Sequence, residues 1–313
     1  MAYSKLGNIK GPQGRRGLNM TGGTTTPPAV DESTLEGDLW LDSLTGDVYR
    51  ATIDPWAKDG TWNTWGTVLW KAADNVLMVQ PAEGDTGTTG EPADFNHCQC
   101  APWCSTSINP YAGSMTSVRS KGNVVVGENS GPLFFYNKSL TDLSPISNWN
   151  VSSVTNMYGM FSDCTSLTAV PPISGWDVSN VTNMTNTFYN CTSLTDISPL
   201  SGWDTSGVTN MFIMFNGCKS LTDISPLSGW DMSSVTNMST MFYGCPLERI
   251  GIPSLAHGGR NFVSKLKDAS AVTNMNTTML TNTTTSETMS ANQILTDMDS
   301  NPSKYATGTI WSL

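Results

Sequence analysis

Tryptophan recurs at Trp149, Trp176, Trp203 and Trp230, always 27 residues apart. The same step carries a cysteine ladder at Cys164, Cys191, Cys218 and Cys245, and an asparagine ladder at Asn156, Asn183, Asn210 and Asn237. Asx-x-Ser follows each tryptophan, as Asn150, Asp177, Asp204 or Asp231 with the serine two positions on. A fixed period of this size is the signature of a solenoid, whose units bury their apolar sides only by stacking on neighbours. Within one copy the apolar residues Leu194, Ile197, Leu200, Trp203, Val208, Met211 and Phe215 recur at irregular gaps. Such gaps fit neither an amphipathic helix nor an alternating strand. They predict short extended segments, Leu-Thr-Asp-Ile and Val-Thr-Asn-Met, separated by Ser-Pro, Ser-Gly and Asp-x-Ser turns.

Each ladder has a structural role that accounts for it. A repeated asparagine satisfies backbone groups of the adjacent coil, and a repeated cysteine is a small apolar filler for an interior turn. Coils stacked at strand-like separation also bring sulfurs near one another, but the step contains no C-x-x-C pair of the kind zinc sites use. The aspartate after tryptophan reads as an Asx-turn residue rather than a catalytic carboxylate. The outward positions Tyr158, Tyr189, Phe212 and Tyr243 are candidate ligand contacts, and packing against a neighbouring coil or protomer accounts for them equally well.

The pattern W-D-V-S-N-V-T-N-M-x-x-M-F-x-x-C-x-S-L-T resembles the BspA-like leucine-rich repeats, in the variant found in bacterial and mycoplasmal surface proteins and in some phage proteins. The resemblance spans residues 140–255. It implies a right-handed leucine-rich solenoid serving as a binding or adhesion surface, with no enzyme activity and no cofactor.

Charged residues make up only 13% of the 313, and the net charge is −10. That balance excludes the basic patches nucleic-acid binding requires and offers nothing to an anionic membrane. The first residues lack the apolar core of a signal peptide, and no later stretch is long and apolar enough to span a bilayer. The sequence therefore predicts neither export by a leader nor membrane insertion, a departure from the cell-surface proteins that carry these repeats.

Residues 11–17 and 84–92 read as Gly-X-Y triplets, which suit a collagen-like axis if three chains meet there; a flexible glycine-rich linker explains them as well. Between them, Asp38-Leu39-Trp40-Leu41-Asp42 and Asp47-Val48-Tyr49-Arg50 flank a Thr-Gly-Asp turn and predict a β-hairpin. The phrase G-D-L-W-L-D-x-x-T-G-D-V-Y resembles a small module of phage fibre and tail proteins. Its neighbouring tryptophans, Trp56, Trp62, Trp65 and Trp70, are expected to form a core rather than a sugar-stacking platform.

One segment has metal-like composition, His97, Cys98, Cys100 and Cys104. Its spacing is poor for one tetrahedral ion, so metal, a local disulfide and free thiols all remain open.

The expectation is a mainly β chain, with a small Trp-rich β-module followed by a leucine-rich-repeat solenoid of 27-residue coils. Residues 1–30 form a virion-attachment segment, 31–80 the Trp-rich hairpin module, and 81–139 a glycine-rich connector with the Cys-rich loop. Residues 140–255 are the solenoid, and 256–313 a degenerate repeat and cap that includes a helix starting after Ser290. Functionally this reads as a phage head or tail fibre on the virion surface. It would be a homotrimer, joined to a capsid or tail protein through its N-terminus, with the solenoid binding a bacterial surface glycan or protein. A bacterial cell-surface adhesin and a polysaccharide-degrading fibre, which would need paired carboxylates facing a groove, are the alternatives.

Overall fold

A computed structural model describes residues 62–73, 75–90, 101–104, 112–128, 131–266 and 278–313. It also gives the backbone of the strands Ala2–Asn8, Met20–Gly23, Leu39–Asp42, Asp47–Thr52, Ala93–Phe95 and Cys98–Cys100. The chain forms two compact units, Met1–Thr61 and Trp62–Leu313. It is mainly β; the described residues contain two α-helices, α1 (Gly259–Lys265) and α2 (Ala291–Ser300).

In the first unit the predicted hairpin forms, Leu39–Asp42 running antiparallel to Asp47–Thr52. Ala2–Asn8 adds to the outer edge of the second hairpin strand, and Met20–Gly23 lies parallel to the first, giving a four-stranded sheet. The Gly-X-Y residues 11–17 and Trp56 lie outside the described residues.

The second unit opens with the antiparallel strands Asn63–Trp65, Val68–Ala73 and Val76–Pro81. Onto the last of these the chain stacks in parallel: Ser117–Ser120 pairs with Val76–Pro81, and Asp142 bridges Ser117 in turn. Thr86–Thr88, Asn123–Val125 and Asn150 form a second such row. Trp65, Trp70 and Trp103 are buried together, with Trp65 and Trp103 packed edge to face at 4.8 Å between ring centres. These tryptophans are core, and none is open to a ligand. Two glycines of the second Gly-X-Y stretch lie against their own chain, while Gly84 has open space around it. A Cβ on Gly87 would stand 2.5 Å from the Thr67 carbonyl oxygen, and one on Gly90 2.6 Å from the Trp65 ring. Gly87 and Gly90 thus serve a close approach of backbone within the chain.

From Leu140 the 27-residue units lie on one another in register. The extended segments expected there shrink to single bridges, Asn156 to Asn183 to Asn210 to Asn237, and Ala169 to Asp196, except for Asp223–Ile224, which pairs in parallel with Arg249 and Ile250. Apolar columns fill the interior: Phe134, Phe161, Phe188, Phe215 and Phe242 are fully buried, with successive ring centres 5.2–5.9 Å apart. Phe262 on α1 meets Phe242 edge-on and ends the column.

The segment after each bridging asparagine uses its peptide groups in alternation. The N–H groups of Met157, Gly159, Phe161 and Asp163 donate to the carbonyls of Asn183, Thr185, Thr187 and Tyr189 in the next unit. Those of Met160, Ser162 and Cys164 turn back to carbonyls three residues earlier. Buried backbone groups are thereby paired without a strand. The alternation demands left-handed backbone at two positions per unit. One column is Gly159, Asn186, Ile213 and Thr240, and the other Tyr136, Asp163, Asn190, Gly217 and Gly244. Glycine and asparagine suit such positions, but a β-branched residue is strained there by about 1–2 kcal/mol. Ile213, at φ 48°, and Thr240, at φ 51°, are such cases. Ile213→Asn, copying Asn186, is expected to stabilise the chain by roughly 0.5–1 kcal/mol after the lost apolar area is allowed for. Thermal unfolding checks this: an unchanged or lower midpoint would show that the strain is absent.

The C-terminal end is closed by a five-stranded sheet in the order Asp223–Ile224, Arg249–Ile252, Thr309–Ser312, Met279–Asn282, Thr288–Ser290. Helix α2 starts with a reciprocal capping box, Ser290 accepting from the Gln293 N–H and Gln293 from the Ser290 N–H, which satisfies two otherwise orphaned donors. Asp297 on α2 gathers Lys304 at 2.6 Å, the Tyr305 hydroxyl at 2.7 Å and Asn301 at 2.7 Å. Val272 to Met275, read from sequence as a degenerate repeat, lies outside the described residues.

Candidate functional site

The ladders account for the inside of the stack. Each indole N–H reaches a carbonyl in the preceding unit: Trp176 to Ile146, Trp203 to Ile173 and Trp230 to Leu200, at 2.8–3.2 Å. Trp149, in the first copy, donates to the Ser120 hydroxyl instead. The thiols of Cys164, Cys191, Cys218 and Cys245 are free and buried, and each lies 3.1–3.2 Å from the carbonyl oxygen of a phenylalanine in the preceding unit. Burial pushes all four thiols up, Cys191 and Cys245 to about 12. Nothing in this arrangement exposes a thiolate to a metal or an electrophile.

The asparagine ladder corrects one expectation. Its side chains do not serve the adjacent unit; Asn156, Asn183, Asn210 and Asn237 each accept from the N–H two residues on, at 3.0–3.1 Å. The contact between units is made by the asparagine backbone, and the side chain shapes the turn that follows it. The Asx residues after tryptophan do the same: Asn150, Asp177, Asp204 and Asp231 accept from Ser152, Ser179, Ser206 and Ser233. Hydrogen bonds from Ser179 and Ser206 hold Asp177 and Asp204 below the usual carboxylate range. At Asp231 burial pulls upward, but the bonds from Ser233 and the charge of nearby His257 together bring it below the usual range. None of the three would retain a proton near neutral pH, as the acid of a glycosidase pair must.

Of the Cys-rich segment, His97 lies outside the described residues, and Cys98 and Cys100 are described by backbone alone, in the strand Cys98–Cys100. Cys104 is half-buried, its thiol 3.3 Å from the Leu133 carbonyl oxygen. Among the described residues no three His, Cys, Asp or Glu side chains gather as a metal site would require.

The outside of the stack is where the four candidate contacts fall. Tyr158, Phe212 and Tyr243 are 44%, 36% and 62% exposed, and Tyr189 is half-buried. They occupy two columns, Tyr158–Thr185–Phe212–Ser239 and Ser162–Tyr189–Asn216–Tyr243. Each column is followed by one of the left-handed positions. The only charged residue in these two columns and the left-handed positions of the same four units is Asp163, held by Asn190 at 2.7 Å and Ser162 at 3.1 Å. Upstream, Tyr136 is 49% exposed, with the Lys138 ammonium 4.1 Å from its ring centre. A separate open hollow of about 460 Å³ lies against α1 and α2, lined by Gly258, Arg260, Asn261, Ser264 and Leu295. The Arg260 guanidinium there is already engaged by Asp299 and the Leu295 carbonyl.

Two overlapping stretches, residues 131–200 and 168–248, match DUF285, described as a Mycoplasma protein of unknown function. The stack is similar to that family. The match begins at Gly131, just before Phe134 opens the phenylalanine column, and ends beyond Cys245. No curated protein and no solved structure matches the chain. The similarity therefore names the repeat and leaves its ligand to chemistry.

Proposed function

We propose that the chain is a structural and adhesive virion protein, a phage head or tail fibre, whose stacked units form a leucine-rich solenoid that binds a bacterial surface or mucosal ligand. One observation carries the reading. A stack that buries its tryptophans, methionines, cysteines and the column from Phe134 to Phe242 nonetheless turns Tyr158, Phe212 and Tyr243 outward, in columns almost free of charge. Exposed aromatic groups in a polar setting are characteristic of recognition surfaces. The small N-terminal sheet supplies the attachment to a capsid or tail protein, and three chains assemble there, which places the solenoids at the virion surface. The depressed carboxyls of Asp177, Asp204 and Asp231 favour binding over polysaccharide cleavage, and the net charge of −10 disfavours nucleic acid.

Light scattering on the full-length chain is expected to give the mass of a trimer, and sedimentation with host cells or immobilised mucin is expected to retain it. A monomer that neither surface retains would overturn the fibre reading. The similarity to a family described from Mycoplasma supports a second reading, an adhesin of a bacterial cell surface. Detection of the chain in purified virions, or only in cell envelopes, separates the two.

A further inference from the structure

The second unit breaks the repeat at one place. Where the first has Tyr158-Gly159-Met160 and the third Phe212-Ile213-Met214, it has Thr185-Asn186-Thr187. Thr187 is accounted for, its buried hydroxyl lying 2.8 Å from the Met184 carbonyl oxygen. The other two are not. Thr185 is only 8% exposed, and neither its hydroxyl nor the Asn186 side-chain carbonyl has a hydrogen-bond partner. Buried polar groups are costly unless paired, so an unpaired one in a native fold calls for a reason, such as a ligand that completes it. Both sit between two exposed aromatic rings, Tyr158 one unit before and Phe212 one unit after.

We propose that Tyr158, Thr185, Asn186 and Phe212 form a notch that binds one neutral pyranose of a polysaccharide. The inference rests on the adhesive reading above and gives it a ligand class. The dimensions suit it: backbones two units apart are separated by roughly 10 Å, while a ring held between two aromatic faces needs about 7–8 Å. One sugar ring fits and a stacked pair does not. Pyranose C–H faces pack on the rings of Tyr158 and Phe212, and sugar hydroxyls accept from Thr185 and donate to Asn186 at the floor. The absence of charge in the Tyr158 and Asn186 columns, with Asp163 the nearest acid along the chain, favours a neutral sugar over an acidic one. Tyr158 leans across the entrance, held by a long 3.4 Å contact from the Asn186 amide at the exposed edge. Rotation of this tyrosine uncovers the two orphaned atoms.

The test is affinity electrophoresis of the full-length protein in gels cast with neutral polysaccharides (dextran, glucomannan, xylan) or an acidic one (alginate). The wild type is expected to be retarded by at least one neutral polymer and not by alginate. Thr185→Val and Phe212→Ser, the latter copying Ser239 of the same column, are expected to weaken that retardation roughly tenfold. Met279→Ser, at an exposed side chain of the C-terminal sheet, should leave it intact. Thr185→Val should also raise the thermal midpoint, because it removes an unpaired buried hydroxyl; a variant that is more stable yet binds less cannot be explained by misfolding. Equal retardation of all variants, retardation by alginate alone, or none in any neutral gel would overturn the notch. If cells or mucin retain Thr185→Val and Phe212→Ser as well as wild type, the adhesive reading survives without it; if they retain no form of the protein, that reading fails as well.

Discussion

Phe188→Ala should remove about 3–5 kcal/mol of stability, a large fraction of the roughly 5–15 kcal/mol a domain possesses in total. Phe188 is fully buried, and its ring lies nearly parallel to those of Phe161 and Phe215, at 5.2 and 5.5 Å. Truncation opens a cavity between two rings held in place by their own backbone ladders, so the stack cannot collapse to fill it. Because each unit draws its core from its neighbours, the loss lands on two interfaces at once. Urea unfolding followed by tryptophan fluorescence measures it, with Phe212→Ala, at the exposed edge, expected to change stability far less. Near-equal losses for the two would mean that the phenylalanine column is not what holds the units together.

The second large effect is alkaline. Burial raises the thiols of Cys164, Cys191, Cys218 and Cys245, two of them to about 12, whereas an unfolded thiol ionises near 8.5. Above that value the unfolded chain gives up protons the folded chain keeps, so stability must fall as pH rises. The contribution is whole below about pH 8.5 and is lost progressively towards pH 12. Tyr305, raised by burial and by its bond to Asp297, acts in the same direction. Urea midpoints at pH 7, 9 and 10.5 should decline steeply for the wild type. With all four cysteines changed to alanine the profile should flatten, from a lower starting value. An equal slope in both proteins would show that other groups drive alkaline unfolding.

Much of the stack is legible in the sequence because its ladders are one-residue columns: the tryptophans, the cysteines and the Asx residues after tryptophan all stand where a 27-residue step puts them. What was illegible has physical causes. Stacking begins at Val76 and Ser117, but those steps are longer and shorter than 27, so no period reveals them. The asparagine amides turn towards their own unit because the backbone already spans the gap. No propensity places Ile213 and Thr240 in left-handed backbone; their neighbours in the column, Gly159 and Asn186, were the available signal. Thr185 and Asn186 look like noise in an alignment of repeats, and only their lack of partners distinguishes them.

The hydrogen bonds between units have a consequence for heredity. Since the donors of one unit meet the acceptors of the next at the same positions throughout, an in-frame exchange between two copies of the repeat leaves every remaining contact of a kind already present. Chain length along the stack is thus free to drift by whole units in a population. The Thr185-Asn186-Thr187 step exists in one copy alone, and a recombinant lacking that copy would keep its architecture while losing the feature that sets it apart.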